Sequence, residues 1–416
     1  MENRKLIVTI LRQLMHIIKY ISETILHIKI IIEEYFSLNI FKKNRLMLLD
    51  ETFPNIRSPF RITEFNYYLN KFPSSQLYSS APDYYNYKKK YLSIYPKNKS
   101  RIFHFESHFV FPANLAYVIF LHNIISFLPF LEKRNIPFVF ELYPGGYFQI
   151  NNERSDSDLK RVFNSPLFRH VIVTQKITYD YLIEKNFCNR DKITFIYGGV
   201  LPLDSLHAQI EEKKEFPQNK ETFDICFVAN RYLPKGEDKG YDIFIDISKK
   251  LLQKYPYLRF HVVGDYNEKI IDIEEIKNQI TFYGTQDTKF FPSFYSKMDL
   301  FLSPNRNNTL LPGAFDGFPT GACIEASACG VALCVTDPVN LNLYYRNRED
   351  MLIINHDIKS IYETVEWAIT NTRDLYELAK KGQATTMRIF DERVQMEPRI
   401  NQIEKAYNIE TKLKRN

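Results

Sequence analysis

The residues best suited to chemistry lie in one run, Asp316-Gly-Phe-Pro-Thr-Gly-Ala-Cys-Ile-Glu325, followed by Ala-Ser-Ala-Cys-Gly. Gly317, Pro319 and Gly321 let the backbone turn tightly before a helix begins, so free N–H groups and the positive helix end can face one anionic ligand. With Phe318 and Thr320 this loop reads as a phosphate-side cradle. Glu325 falls about one turn into the helix, within reach of a diol such as a ribose, where each charge-assisted hydrogen bond contributes roughly 1.5–3 kcal/mol. Asp316 stands on the loop before it. A plainer use of the same acids stays open, with Asp316 capping the helix and Glu325 answering its dipole.

A second group lies upstream. The strand-like run 223–231 delivers Arg231 to its carboxyl end, and the loop after it carries Lys235 and Lys239. Open α/β sheets bind ligands at the carboxyl ends of their strands, so Arg231 and a loop lysine would meet a phosphate there. Two fixed cations would stabilise negative charge gathering on such a phosphate.

Elements must position these groups, and the chain is long enough to build them. Its 416 residues, 45% apolar and 15% aromatic, suffice for two cores. A net charge of +6, scattered rather than striped, does not indicate a nucleic-acid partner. The five cysteines are odd in number and lack metal-ligand spacing, so they read as packed thiols of a reducing cytosol.

Residues 1–43 repeat Ile and Leu at helical spacing, with Lys5, Arg12, Lys19 and Lys29 on the polar side. Two readings of this arm stand: a helix lying in an anionic membrane surface, or a helical docking arm for a partner. No apolar run is long enough to span a membrane and no cleavage site is evident, so the expected location is cytoplasmic, with the inner membrane face as the alternative.

The folded body is expected to open with a buried strand at 45–50, then a loop into a helix with Ser58 as N-cap and Pro59 at the first helical position. Arg57 or Arg61 would serve a phosphate there, unless Arg61 is simply a cation on the helix surface. Residues 78–99 lack clear periodicity and read as an acceptor-side loop; 115–131 read as one apolar helix between strands. The Pro144-Gly145-Gly146 turn follows a strand and is another ligand-edge loop, with Glu141 and His104 at strand ends, where such residues are more often structural. Asp156-Ser-Asp158 reads as an N-cap pair rather than a metal motif. Further strands end at Gly264 and Gly284, as nucleotide-cleft loops require, and the region 374–414, containing Pro398, reads as helical with a proline break.

The acidic run resembles the E-x7-E signature of retaining, family 4-type glycosyltransferases of the GT-B fold (glycosyltransferase group 1). Asp316 lies one residue further from Glu325 than that spacing, and Gly317 occupies the strict position. Lys239-Gly-Tyr-Asp242 matches the family's Lys-Gly-x-Asp after its arginine, whereas Lys235-Gly236 has a poorer downstream context. The family's glycine-rich loop after the first strand has no counterpart here.

The resemblance implies an α/β GT-B fold: two Rossmann-like domains facing across a cleft, with an extra N-terminal helical arm. The expected division is an arm at 1–43, an acceptor domain at 44–205, a nucleotide-sugar domain at 206–390 and a terminal helix at 391–416 that crosses back to the first domain. It implies retaining, metal-independent transfer from a nucleotide sugar to a glycan or lipid-linked acceptor in cell-surface polysaccharide or glycoconjugate synthesis, with no cofactor. Arg231, Lys239 and Asp316 would serve catalysis; Glu325, the 317–321 loop, Gly264 and Gly284 would bind the donor; Gly145, Gly146, Glu141 and Arg61 would face the acceptor. Two rivals remain, a nucleotide-sugar 2-epimerase of the same fold and a non-catalytic scaffold.

Overall fold

Long apolar runs, bounded by Gly, Pro and Asn, fold into strands buried on both faces. The computed structural model describes residues 46–106, 113–209 and 212–413. The arm expected at 1–43, and Arg45 of the first expected strand, lie outside the described residues.

The first sheet comprises β1 (Leu46–Asp50), β2 (Gln76–Ser79), β3 (Ile102–His104), β4 (Leu115–Ile119), β5 (Phe138–Leu142), β6 (Phe168–Val173) and β7 (Ile193–Phe195). All its pairings are parallel, in the order β3-β2-β1-β4-β5-β6-β7. Helices α1 (Pro59–Lys71), α2 (Tyr84–Ile94), α3 (Leu121–Lys133), α4 (Glu153–Phe163) and α5 (Lys176–Glu184) connect the strands, and α6 (Leu203–His207) begins the passage to the second sheet. Both faces of the sheet are covered, so β1 and β4 are apolar without alternation.

The second sheet contains β8 (Phe223–Val228), β9 (Leu258–Val263), β10 (Ile280–Phe282), β11 (Leu300–Ser303), β12 (Ala332–Thr336) and β13 (Leu352–Ile354). Its order, β10-β9-β8-β11-β12-β13, repeats that of β1 to β6 in the first sheet, without a counterpart of β7, and is again parallel. The helices here are α7 (Tyr241–Leu252), α8 (Phe291–Tyr295), α9 (Gly321–Ala328), α10 (Ile358–Thr370), α11 (Thr372–Ile389) and α12 (Glu392–Leu413). These are two Rossmann-like domains, each with a switch point where the strand order reverses, between β1 and β4 and between β8 and β11.

Four local expectations are corrected. The apolar stretch 115–131 is not one helix: β4 ends at Ile119, Phe120 turns at φ 67°, and α3 follows. An apolar run carries no period when both faces are buried, so strand and helix look alike. Residues 78–99 are not a loop but the end of β2 and then α2, whose buried Tyr84, Lys88 and Tyr91 keep helical spacing with aromatic and basic side chains instead of aliphatic ones. Asp156 and Asp158 lie inside α4; its cap is Asn152, which accepts a hydrogen bond from Ser155 N at 3.1 Å. The C-terminal break falls at Phe390–Asp391, and Pro398 sits inside α12. Asp391 Oδ1 accepts from the backbone N–H groups of Arg393 and Val394 at 2.9 and 3.0 Å, which starts the new helix there.

Helix α12 belongs to the second half of the chain but packs on the first domain. Its Arg399 is fully buried and binds Glu141 at 2.7 Å and the carbonyl of Gly198 at 3.0 Å. Gly198 (φ 79°) must be glycine, because a Cβ there would lie 2.2 Å from the Phe390 ring.

Candidate functional site

At the switch point of the second sheet, separate stretches of chain bring charge together. Lys239 closes a short 3-10 turn, and Gly240 follows at φ 71° with space only for hydrogen, since a Cβ would stand 2.1 Å from the carbonyl of Pro304. That close approach sets α7 against the carboxyl end of β11. Lys239 Nζ then lies 2.8 and 2.6 Å from the two carboxylate oxygens of Asp316. Asn305, just past β11, donates to Asp316 Oδ2 at 2.8 Å and accepts from Ser303 Oγ at 3.0 Å. Burial pushes the Lys239 pKa down, but the Asp316 charge and hydrogen bonds outweigh it, and the ammonium is held above its ordinary range. Lys235, by contrast, is exposed on the loop.

The loop 316–321 and α9 take the expected local form. Asp316, Gly317, Phe318, Pro319 and Thr320 line a hollow together with Asn305. Gly321, the first residue of α9, has open space where a side chain would stand. Glu325 is the fifth residue of α9, 5% exposed, and its Oε1 has no hydrogen-bond partner among the described residues. Burial raises its pKa to about 8. Glu325 is not on the wall of that hollow; the side chains that sense its charge are Tyr295 and Cys329.

Arg231 is held by its own neighbourhood: Nε donates to the Asp265 carbonyl at 2.8 Å, Nη2 to Asp265 Oδ2 at 2.9 Å and Nη1 to the Pro234 carbonyl at 3.0 Å. Its side chain remains 28% exposed, so the cation is aimed but not enclosed. Gly264 (φ 131°) would place a Cβ 2.0 Å from the Ala229 carbonyl, and its N–H donates to Gly284 at 3.0 Å, which draws the loops after β8, β9 and β10 together. The exposed ring of Tyr232 lies 5.2 Å from Lys239 Nζ.

The first domain faces this loop. A Cβ on Gly317 would lie 3.2 Å from Gln175 Nε2 and 3.7 Å from Pro144. Ile150 N donates to the Gly313 carbonyl at 3.0 Å, and the rings of Phe148 and Phe315 meet edge to face at 5.9 Å. Gly145 (φ 80°) has open space around it, whereas Gly146 packs on His122 and Phe120. His122 is a residue the sequence reading missed: Nδ1 lies 3.0 Å from the Gly146 carbonyl and Nε2 contacts the Glu51 carboxylate. A lone histidine inside an apolar run gave no motif to find it by.

Two expected acceptor-side residues are corrected. Glu141 is fully buried, and its carboxylate is already taken up by the Arg399 ion pair and the Tyr117 hydroxyl inside the first domain. Arg61 spends its guanidinium on Asp50 and Ser58, at 3.1 Å each, and lies against the rings of Phe60 and Phe120. His104 packs against Tyr84 and Tyr85, and Arg57 is exposed. Among the described residues no cluster of His, Cys, Asp and Glu is arranged to hold a metal, and no helix is long and apolar enough to cross a membrane.

Residues 209–385 match the family described as "Glycosyl transferases group 1". An uncharacterized glycosyltransferase of Methanocaldococcus jannaschii is 26% identical over 172 residues, 39% of this chain and 40% of that protein. The chain thus spans less than half the length of the curated relatives it matches. A glycosyltransferase from Rickettsia africae superimposes with a TM-score of 0.65 over 88% of this chain and 99% of its own, at 12% identity. The Anabaena protein Alr3699/HepE, crystallised with UDP, does so with a TM-score of 0.63 over 87% and 100%, at 14% identity. At such identities the likeness establishes the fold, which is GT-B.

Proposed function

We propose that the protein is a glycosyltransferase that takes a sugar from a nucleotide-sugar donor, with retention at the anomeric carbon and without a metal. The observation that carries this reading is the meeting of Lys239, Asp316 and Asn305 at the switch point of the second sheet, inside the stretch that matches the glycosyl transferases group 1 family. The UDP held by the Anabaena structure of the same fold supports a nucleotide as the donor's leaving part.

In this reading Lys239 and Arg231 receive the negative charge that grows on the departing diphosphate. Asp316 keeps the Lys239 ammonium charged and fixed, so the cation needs no reorganisation as the bond breaks. Glu325 offers the donor's ribose an acceptor whose burial has already been paid for by the fold. The 317–321 loop, Gly264 and Gly284 complete the donor side, and Gly145 with Gly146 faces a glycan or lipid-linked acceptor of cell-surface polysaccharide synthesis at the cytoplasmic side of a membrane.

The test is release of nucleoside diphosphate from a panel of nucleotide sugars, with and without a chelator. Release that survives chelation and collapses in Lys239→Ala is expected. No release from any donor would leave only a scaffold, and loss restored by Mg²⁺ or Mn²⁺ would contradict metal-free neutralisation.

A further inference from the structure

The carboxyl end of β6 carries a group of polar atoms that the donor site described above does not use. Thr174, Gln175 and Thr178 are 1%, 2% and 0% exposed, and Thr174 Oγ1, Gln175 Oε1 and Thr178 Oγ1 have no hydrogen-bond partner among the described residues. They surround the start of α5, where Gln175 is the N-cap residue and its side chain makes no cap bond. The Gln175 backbone carbonyl instead accepts from Thr178 N and Tyr179 N at 3.1 and 3.2 Å, so the side chain is free for another use. It points across the domain boundary: a Cβ on Gly317 would be 3.2 Å from Gln175 Nε2 and 3.9 Å from Cδ. The carboxamide therefore packs on the backbone of the acid loop, next to Asp316.

We propose that Gln175, with Thr174 and Thr178, forms a subsite on the first domain for a neutral hydroxyl of the transferred sugar. The inference rests on the nucleotide-sugar reading and adds to it a residue from the facing domain. A buried amide oxygen has given up water and gains nothing until a donor arrives. Three uncharged groups, one of them acceptor-only at its orphaned atom, suit a hydroxyl and not a phosphate. The nearest cation on the same helix, Lys176, is turned outward onto Asp180. The second domain meets Gln175 at Gly317, in the loop assigned to the sugar and its phosphate. A hydroxyl bound there would be gripped from both domains at once, which ties recognition of the sugar to closure of the cleft.

Titration calorimetry with UDP and UDP-glucose, and with GDP and GDP-mannose as a second pair, separates the possibilities. Gln175→Leu is expected to weaken binding of the nucleotide sugar about tenfold and leave the nucleoside diphosphate within about twofold, since only the former carries the hydroxyl. Thr178→Val, which keeps the shape of the helix start, should move in the same direction by a smaller factor. Unchanged affinities in both variants would mean that water alone satisfies these atoms, and an equal fall for sugar nucleotide and free diphosphate would mean a purely structural role; either result overturns the subsite. A parent protein that binds neither pair would remove the nucleotide-sugar reading itself, and the subsite with it.

Discussion

The two sheets share one strand order but use their switch points in opposite ways. In the first, Asp50 at the end of β1 accepts from Thr52 N at 2.7 Å, Phe53 N at 2.6 Å, Arg61 at 3.1 Å and Asn123 at 3.1 Å. Charge and countercharge are satisfied inside the domain. In the second, Lys239 and Asp316 hold each other at the rim of a hollow, and Glu325 is buried with no partner for its Oε1 among the described residues. Two buried glutamates repeat the contrast. Both have a pKa raised to about 8, Glu64 by burial and then by the nearby Glu141, Glu325 by burial alone. Yet both Glu64 oxygens are paired, one with the Tyr117 hydroxyl and the other with that of Tyr143. Topology fixes where a ligand could sit; whether the local side chains are already satisfied decides which of two equivalent places is free to take one.

The contrast can be broken at either end. Arg399→Ala strands the Glu141 carboxylate in the first domain and should cost about 3–5 kcal/mol in urea unfolding, because the partner charge stays buried. A loss below about 1 kcal/mol would show that Glu141 finds water or a proton instead. In the second domain Lys239→Ala should lower turnover about a hundredfold, about 2.7 kcal/mol of barrier, with the midpoint of unfolding little changed. Equal damage to stability and turnover would make the lysine a fold element.

A smaller effect distinguishes the two glutamates. Glu325→Gln should weaken nucleotide binding about tenfold, about 1.4 kcal/mol, without loss of stability. The sign of the pH dependence follows from the raised values. A carboxyl near 8 in the folded chain and near 4.5 unfolded favours the native state in its neutral form, so its contribution is fully present below about 4.5 and is lost as pH rises towards about 8. Unfolding measured from pH 5 to pH 8 should show falling stability, and Glu325→Gln should flatten part of that slope while Glu64, in the other domain, keeps the rest. Smallest of all, Arg61→Gln should cost about 1 kcal/mol of stability and leave nucleotide affinity untouched; weaker nucleotide binding there would mean that the first switch point also meets the donor.

Much of the architecture was readable because strand and helix alternate with clear punctuation, above all from 223 to 337, where every strand read from the sequence is a strand in the structure. Lys235 and Lys239 are each followed by Gly-x-Asp, so that pattern alone does not separate them; the fold does, by bringing Lys239 to Asp316. Legibility failed where the deciding partner is remote. Glu141 looked like a cleft residue because it ends a strand, but its partner stands 258 positions away, on a helix no local pattern connects to it. Arg61 looked like a phosphate ligand until Asp50 and two aromatic rings claimed it. Gln175 has no neighbouring signal at all; only the approach of Gly317 and the lack of a donor to its oxygen mark it.

The seating of Arg399 on Glu141 also has a consequence for synthesis. A ribosome releases residue 141 long before residue 399, so the first sheet must wait through the making of the whole second domain with an acid in its interior and no cation to meet it. Until α12 emerges, that acid has to remain hydrated or take up a proton, and the nascent first domain stays looser than the finished one. The order of translation thus makes α12 the closing piece of the first sheet's core.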